Sequence, residues 1–237
     1  MFSIIIPAYN EEDYLPATLE AAKHAIEQSQ IECELIMVDD NSSDRTAEIA
    51  SEMGAIVHQV ACRQIAGARN GGAKIAKGDV FLFVDADTLI TGESLVAVQR
   101  AVEQGAAGGG TVIRFDRPCP LWALMLARPM MISYRLSKVA SGAFLYCRRD
   151  VFESIGGFDE LYYAAEELVL SRAIGKAGQF VFLDAPVVSS SRKLRVYSGF
   201  EIIKMIISMI IGGQRWAKRA AGKEIWYGER RTDKGIK

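Results

Sequence analysis

Val80-Phe81-Leu82-Phe83-Val84-Asp85-Ala86-Asp87-Thr88 is the stretch on which the fold turns: five apolar residues, then two carboxylates as soon as the apolar run stops. A short, wholly apolar run rich in β-branched and aromatic side chains reads as a strand buried on both faces, as strands of a parallel sheet are. Open α/β sheets bind their ligands beyond the carboxyl ends of such strands, so the chemistry is expected at Asp85 and Asp87. Carboxylates one residue apart on an extended chain point the same way. Both can then face one hard cation and the diphosphate that cation neutralises. A loop of solvated acids is the plain alternative.

Working toward the N-terminus, the same arrangement repeats. Ile4-Ile5-Ile6 reads as a first strand that ends in the polar loop Pro7-Ala8-Tyr9-Asn10-Glu11-Glu12. Leu15, Leu19, Ala22 and Ile26 then recur at helical spacing, with Pro16 tolerable in a first turn. Leu35-Ile36-Met37-Val38 is a second strand, and it too runs into acids, Asp39 and Asp40. Ser42 or Ser43 is expected to cap the next helix, with Asp44 complementing its positive end and Gly54 closing it. Residues 55–60 read as a third strand, and residues 67–76 as a helix of small residues in which Arg69 and Lys74 can offer charge to phosphates. Strand and helix alternate, the pattern of a mostly parallel sheet wound by right-handed crossovers.

Toward the C-terminus the character changes. A helix is expected over residues 94–104, then Gly108-Gly109-Gly110 entering a strand over 111–115. Residues 121–138 are rich in Trp, Leu, Met and Ile, are broken by Pro129, and carry Arg128, Arg135 and Lys138, which excludes a transmembrane span. Helical packing is the ordinary reading there, and an interfacial surface the sharper one. A strand over 141–147, the turn Gly156-Gly157-Phe158-Asp159, and a helix from Glu166-Glu167 to Gly178 follow. Two glutamates at a helix start are favoured by the helix dipole whatever their function. Residues 200–211 form an apolar helix with Glu201, Lys204 and Ser208 on one stripe, too short at about 18 Å to cross a bilayer.

Half of the 237 residues are hydrophobic, enough for one large α/β unit. Cys33, Cys62, Cys119 and Cys147 show neither CxxC spacing nor neighbouring histidines, so no zinc site or disulfide framework is expected, and a reducing, cytoplasmic setting fits. The start at Met1 lacks the pattern of a signal peptide. The net charge of −1 hides an asymmetry: residues 192–237 hold twelve Lys and Arg against four Asp and Glu, and the residues before them sixteen against twenty-five. A basic end on an acidic body, with Trp216, Lys218, Arg219, Lys223 and Trp226, suits an anionic membrane surface better than nucleic acid. A merely solvated tail is the alternative.

Five motifs in register carry a resemblance. Pro7-Ala8-Tyr9-Asn10-Glu11, Val38-Asp39-Asp40-Asn41-Ser42-Ser43-Asp44-Arg45-Thr46, Gly67-Ala68-Arg69-Asn70, Asp85-Ala86-Asp87 and Gly156-Gly157-Phe158-Asp159 together resemble family 2 glycosyltransferases of the GT-A fold, over residues 4–192. The resemblance implies an α/β chain with a Rossmann-like, mostly parallel sheet flanked by helices, in a single domain over 1–237. Its nucleotide-sugar-binding half would be 1–115, its acceptor-side catalytic half 116–197, and 198–237 an amphipathic helix with a basic tail. It also implies an inverting transferase with a nucleotide-sugar donor, most often a UDP sugar, and Mg²⁺ or Mn²⁺.

Carried over residue by residue, Pro7, Ala8, Tyr9, Glu11, Asp40, Gly67, Arg69, Asp85, Ala86 and Arg192 would bind the donor. Asp87, with Asp85, would hold the metal. Inversion needs one in-line displacement and a base for the acceptor proton. The resemblance puts an acidic pair, commonly Glu-Asp, where Glu166-Glu167 stands; Glu167 is taken as the base and Glu166 as its neighbour or a substrate ligand. His24 and His58 are poorly placed for that role. The expected partners are the nucleotide sugar, a lipid-linked acceptor and an anionic membrane at the inner face of the cytoplasmic membrane. A nucleotidyltransferase would need an early Gly-rich basic loop, and a dinucleotide oxidoreductase a GxGxxG after the first strand; both are absent. A non-catalytic lipid- or protein-binding module remains as a rival, separable by metal-dependent donor hydrolysis.

Overall fold

Apolar runs of strand length alternate with stretches of helical period, and the chain folds accordingly. In the computed structural model, which describes residues 1–219, the first half reads β1 (Phe2–Ala8), α1 (Leu15–Ser29), β2 (Cys33–Asp40), α2 (Thr46–Glu52), β3 (Ile56–Val60), α3 (Ile65–Ile75), β4 (Val80–Val84), β5 (Thr88–Leu89), α4 (Gly92–Glu103) and β6 (Ala106–Phe115). The second half reads α5 (Leu121–Ser137), β7 (Phe144–Arg148), α6 (Arg149–Ser154), α7 (Glu166–Ala177), β8 (Gln179–Ser189), α8 (Arg192–Val196) and α9 (Gly199–Ala217).

The eight strands form one sheet in the order β3-β2-β1-β4-β7-β6-β8-β5. The first four neighbours are parallel. β7 enters antiparallel between β4 and β6, β6 runs parallel to β8, and β5 pairs antiparallel with the end of β8. The sheet expected to be mostly parallel is so over β1 to β4, whereas the part built from β5 to β8 is mixed.

Along β4 the side chains alternate between two cores. Leu82 and Val84 join Ile4, Ile6, Leu15 and Leu19 on one face. Phe81 and Phe83 join Ile5, Ile36, Phe152 and Phe158 on the other. Burial on both faces is why this strand has no polar position until Asp85. Phe83 meets Phe158 edge to face with ring centroids 4.9 Å apart, which ties the Gly156-Gly157 turn to the floor of the sheet. Gly156 and Gly157 adopt φ of 82° and 72°, where a side chain would be strained.

Several boundaries differ from the sequence reading. The glycine run does not precede a strand but lies within β6, since a Cβ on Gly109 would sit 1.8 Å from the Val181 carbonyl oxygen. Neither Ser42 nor Ser43 caps α2. Arg45 holds the N-cap position, and Asp44 accepts the Thr46 N–H at 3.0 Å. The two serines instead bind the first loop, Ser42 Oγ accepting the Asn10 N–H and Ser43 N–H donating to Asn10 Oδ1. α3 begins at Ile65 and α4 at Gly92, the latter capped by a reciprocal Thr91–Ser94 box. The strand expected over 141–147 is Phe144–Arg148.

α5 runs unbroken through Pro129. Only Ala123 of its residues is buried, while Leu121, Met125, Leu126, Ile132 and Leu136 are exposed. α9 extends beyond the expected 200–211 to Ala217, with non-helical Gly213 inside it. Its residues Phe200, Ile203, Ile207 and Ile211 form an exposed apolar stripe, so that face does not pack on the sheet. No described helix is long and apolar enough to cross a membrane. Lys223, Trp226 and the 228–237 end lie outside the described residues.

Candidate active site

The Asp85-Ala86-Asp87 turn is pinned by its backbone. Thr18 Oγ1 donates to the Ala86 carbonyl at 2.8 Å, Thr88 N–H to the Asp85 carbonyl at 3.0 Å, and Ser190 N–H to the Asp87 carbonyl at 3.0 Å. This fixes both carboxylates in the wall between two cavities. The first is lined by Pro7, Ala8, Tyr9, Glu11, Asp40 and Ala86, all expected from sequence to meet the donor, and by Arg63. The second is lined by Arg69, Gly142, Tyr163, Glu166 and Glu167. Asp85, Asp87, Ile65 and Lys193 line both.

Asp40 has a double duty. Its carboxylate accepts the backbone N–H groups of Cys62, Arg63 and Gln64, each at 2.9 Å, and so holds the loop that places the Arg63 guanidinium 3.9 Å from the centre of the Tyr9 ring. Oδ1 takes the Cys62 and Arg63 N–H groups and the Cys62 Sγ at 3.5 Å, while Oδ2 takes only the Gln64 N–H, so further acceptor capacity lies on Oδ2.

Arg69 sits elsewhere than expected. Its side chain is only 2% exposed, and Nη2 donates to Asp85 Oδ1 and to the Gly142 carbonyl, both at 2.9 Å, while Nη1 donates to Glu166 Oε1 at 2.8 Å. Burial works against its charge, but Asp85, Glu166 and Glu167 around it raise its pKa above the usual value. Arg69 therefore orders the acids of the second cavity and does not line the first. Gly67 lines neither; a Cβ there would meet Cys62 Sγ at 3.0 Å. Asn70, next to Arg69, joins two motifs, donating from Nδ2 to the Phe158 carbonyl and accepting the Phe158 N–H.

Glu166 and Glu167 open α7 as the sequence suggests, but their environments diverge. Glu166 is buried and committed to Arg69. Glu167 has no ion pair among the described residues, and burial, with the Glu166 charge beside it, pushes its carboxyl up to about 8. Glu167 is thereby the member of the pair placed to exchange a proton near neutral pH.

On the other side, Arg192 also sits deeper than expected. Nη1 and Nη2 donate to the Glu11 carboxylate at 2.6 and 2.9 Å, and Nη2 reaches Asp87 Oδ2 at 3.1 Å. Burial pushes the Asp87 carboxyl up to about 6, against the pull of Lys193 and Arg192. Lys193, the next residue of α8, has no ion pair among the described residues and lines both cavities. The sequence marked the basic cluster 192–195; the turn of α8 decides that Lys193 faces the cavities while Arg192 faces Glu11.

Asp85 and Asp87 retain oxygens that a metal could use. Asp85 uses Oδ1 toward Arg69 and Asp87 uses Oδ2 toward Arg192, so each keeps one oxygen with no protein partner among the described residues. No group of three or more His, Cys, Asp or Glu side chains able to hold an ion occurs among the described residues. Two hard oxygens, with the rest left to phosphate and water, are the donor set Mg²⁺ and Mn²⁺ accept at phosphate sites, so the residues fit.

A doubly covered α/β sheet with acids at the ends of its parallel strands, curled by an antiparallel β7, defines a GT-A type fold. The model of the family described as glycosyl transferase family 2 matches residues 3–156, and the chain belongs to that family. It is 40% identical over 98 residues to the 4,4'-diaponeurosporenoate glycosyltransferase of Staphylococcus haemolyticus, covering 38% of this chain and 25% of that protein. It is 31% identical over 152 residues to the undecaprenyl-phosphate 4-deoxy-4-formamido-L-arabinose transferase of Pectobacterium carotovorum, covering 61% of this chain and 46% of that protein. The chain thus spans less than half the length of these two relatives. Among solved structures, S. aureus TarS 1-349 in complex with UDP-GlcNAc superposes with a TM-score of 0.66 at 20% identity, over 95% of this chain and 70% of that one. The mannosyltransferase PcManGT of Pyrobaculum calidifontis, in complex with GDP-Man and Mn²⁺, gives 0.65 at 18% identity, over 89% and 61%. These likenesses establish the fold.

Proposed function

We propose that this chain is an inverting glycosyltransferase that moves a sugar from a nucleoside diphosphate sugar, a UDP sugar by preference, to an acceptor hydroxyl, with a divalent metal and with Glu167 as base. The observation that carries the reading is the common wall: Asp85 and Asp87 stand between a pocket lined by the first loop and Asp40 and a cavity holding Glu167. Base and ribose would lie in the first, the acceptor would enter the second, and the diphosphate and sugar would cross the wall.

In the transfer, the acceptor oxygen bonds to the anomeric carbon as the bond from that carbon to the diphosphate oxygen breaks in line. The acceptor proton passes to the Glu167 carboxylate and the diphosphate leaves with the electron pair. Asp87, with Asp85, would hold Mg²⁺ or Mn²⁺, which when bound would neutralise charge on the departing diphosphate. Lys193 supplies a cation at the same wall. Arg69 holds the Glu166 carboxylate at 2.8 Å, and burial with the Glu166 charge disfavours the charged form of Glu167.

The Mn²⁺ bound to PcManGT and the UDP-GlcNAc bound to TarS support the metal and the donor class. Undecaprenyl phosphate in a relative's name supports a lipid-linked acceptor. The exposed apolar stripe of α9, with Arg215, Lys218 and Arg219 after it, supports peripheral attachment to an anionic membrane at the inner face of the cytoplasmic membrane. The reading is tested by thermal stabilisation across a panel of nucleotide sugars with and without Mg²⁺ or Mn²⁺, since a ligand of the native state raises stability by mass action. Stabilisation by UDP sugars only when metal is present is expected; no stabilisation by any nucleotide sugar overturns it.

A further inference from the structure

Between α5 and the strands β6 and β8 lies a groove of about 810 Å³ that the transfer reaction as described does not use. Its walls are apolar, from Leu124, Ala127, Met131 and Leu136 of α5 to Ile113 and Phe182 of the sheet. It also carries Arg114, Arg117 and Arg128, all exposed, whose guanidinium groups have no hydrogen bond or ion pair among the described residues. Arg135, the fourth arginine of the lining, is engaged with Asp184 and stacks over Phe182. A helix of a water-exposed domain does not ordinarily leave most of its large apolar side chains uncovered. Guanidinium groups left free beside an apolar channel can hold an oxyanion bidentately while the channel takes hydrocarbon.

The groove adjoins the candidate active site. Phe115 lines both it and the cavity that holds Glu166 and Glu167. β6 ends at Phe115 opposite Ser189, whose neighbour Ser190 binds the Asp87 carbonyl, so Arg114 and Arg117 lie at the end of the groove nearest the acids. From Leu124 to Leu136 the helical wall is about 18 Å long at roughly 1.5 Å per residue, room for a hydrocarbon chain lying along it.

We infer that this groove binds the acceptor as an amphiphile: a hydrocarbon chain along α5, a phosphate held by Arg114, Arg117 and Arg128, and a hydroxyl-bearing head passing Phe115 toward Glu167. The inference rests on the transferase reading for the fate of the head group, but binding of chain and phosphate is independent of it. Charge complementarity selects this occupant over a neutral lipid, and the apolar walls along α5 select it over a peptide with an acidic face. The adjoining cavity accounts for a head group beyond the phosphate.

The test uses the full chain without donor or metal, titrated calorimetrically with decyl phosphate below its micelle concentration, and with decanol and inorganic phosphate as controls. Decyl phosphate is expected to bind at least about 10-fold more tightly than either control. Leu136→Glu, at a position already exposed, and Ala127→Trp, which fills the channel, are each expected to weaken it by about 10-fold or more. Arg128→Ala should weaken decyl phosphate and leave decanol unchanged. Equal binding by wild type and Leu136→Glu, inorganic phosphate binding as tightly as decyl phosphate, or no binding of decyl phosphate would each overturn the inference. UDP titrated with Mn²⁺ on parallel samples separates the two readings. UDP binding without decyl phosphate binding overturns the groove alone, while groove-dependent decyl phosphate binding without UDP binding supports the groove and counts against the transferase.

Discussion

Arg192 grips Glu11 with both prongs of its guanidinium, at 2.6 and 2.9 Å, across 181 residues of chain. Both side chains are largely buried, at 12% and 6% exposure, so the pair fastens the arm after β8 to the loop after β1. Because Arg192 also reaches Asp87, this clasp fixes one of the two acids on which the proposed chemistry depends.

Removing one partner of such a pair leaves an uncompensated buried charge. Arg192→Ala is expected to cost about 3–5 kcal/mol of stability at neutral pH, read from the urea midpoint at constant m-value. Lys193→Ala, by contrast, removes an unpaired cation at the cavity wall. It should leave the midpoint unchanged and raise the donor KM by about 10-fold, the loss of one charge-assisted contact. Equal midpoints for both variants would show that α8 presents these two residues differently from the arrangement described.

Asp87→Asn keeps the size of the side chain and removes its charge. The expected result is a fall in kcat/KM of about 100-fold or more, the scale of lost charge stabilisation at a leaving group. Donor binding should also become insensitive to EDTA. Wild-type turnover that survives excess EDTA would exclude the metal role.

The raised pKa of Glu167 gives a pH signature. A general base acts in its ionised form, so kcat/KM should climb with pH on a limb near 8 set by burial and the Glu166 charge, and not near the ordinary carboxyl value of about 4.5. Glu167→Gln should lose this limb and about 10²–10⁴ in kcat, with donor binding kept. Stability should move the opposite way. A carboxyl whose pKa is higher folded than unfolded contributes stability that is fully present below the unfolded value and is lost as pH rises through the folded one. Wild type should therefore lose Tm relative to Glu167→Gln between about pH 4.5 and 8. A parallel pair of Tm curves would place the perturbed group elsewhere.

The stripe Phe200, Ile203, Ile207 and Ile211 should carry the chain onto anionic vesicles. Each cation near such a surface adds on the order of 1 kcal/mol, so co-sedimentation should be strong at low salt, weak at high salt and weak on neutral lipid. Ile203→Glu with Ile207→Glu should release the chain to the supernatant. Equal recovery in the supernatant for wild type under every condition would mean that the stripe has another role.

What the sequence by itself determined was local. The apolar runs at Ile4–Ile6, Leu35–Val38 and Val80–Val84, each ending in polar loop or acids, specified strands buried on both faces with their chemistry at one end, because a short unbroken apolar run and its stop are written in neighbouring residues. The helix opening at Glu166-Glu167 was legible for the same reason, through the dipole preference of its first turn. Only the tertiary structure decided partners. Arg69, read as a phosphate ligand, lies between Asp85 and Glu166, sixteen and ninety-seven residues away, and that pairing commits Glu166 while Glu167 is left without an ion pair among the described residues. The antiparallel entry of β7, the turn of α8 that aims Arg192 at Glu11 and Lys193 at the cavities, and the uncovered face of α5 depend likewise on strand order and helix rotation. Those are set by the packing of distant segments against one another, and no window of sequence contains both members of such a contact.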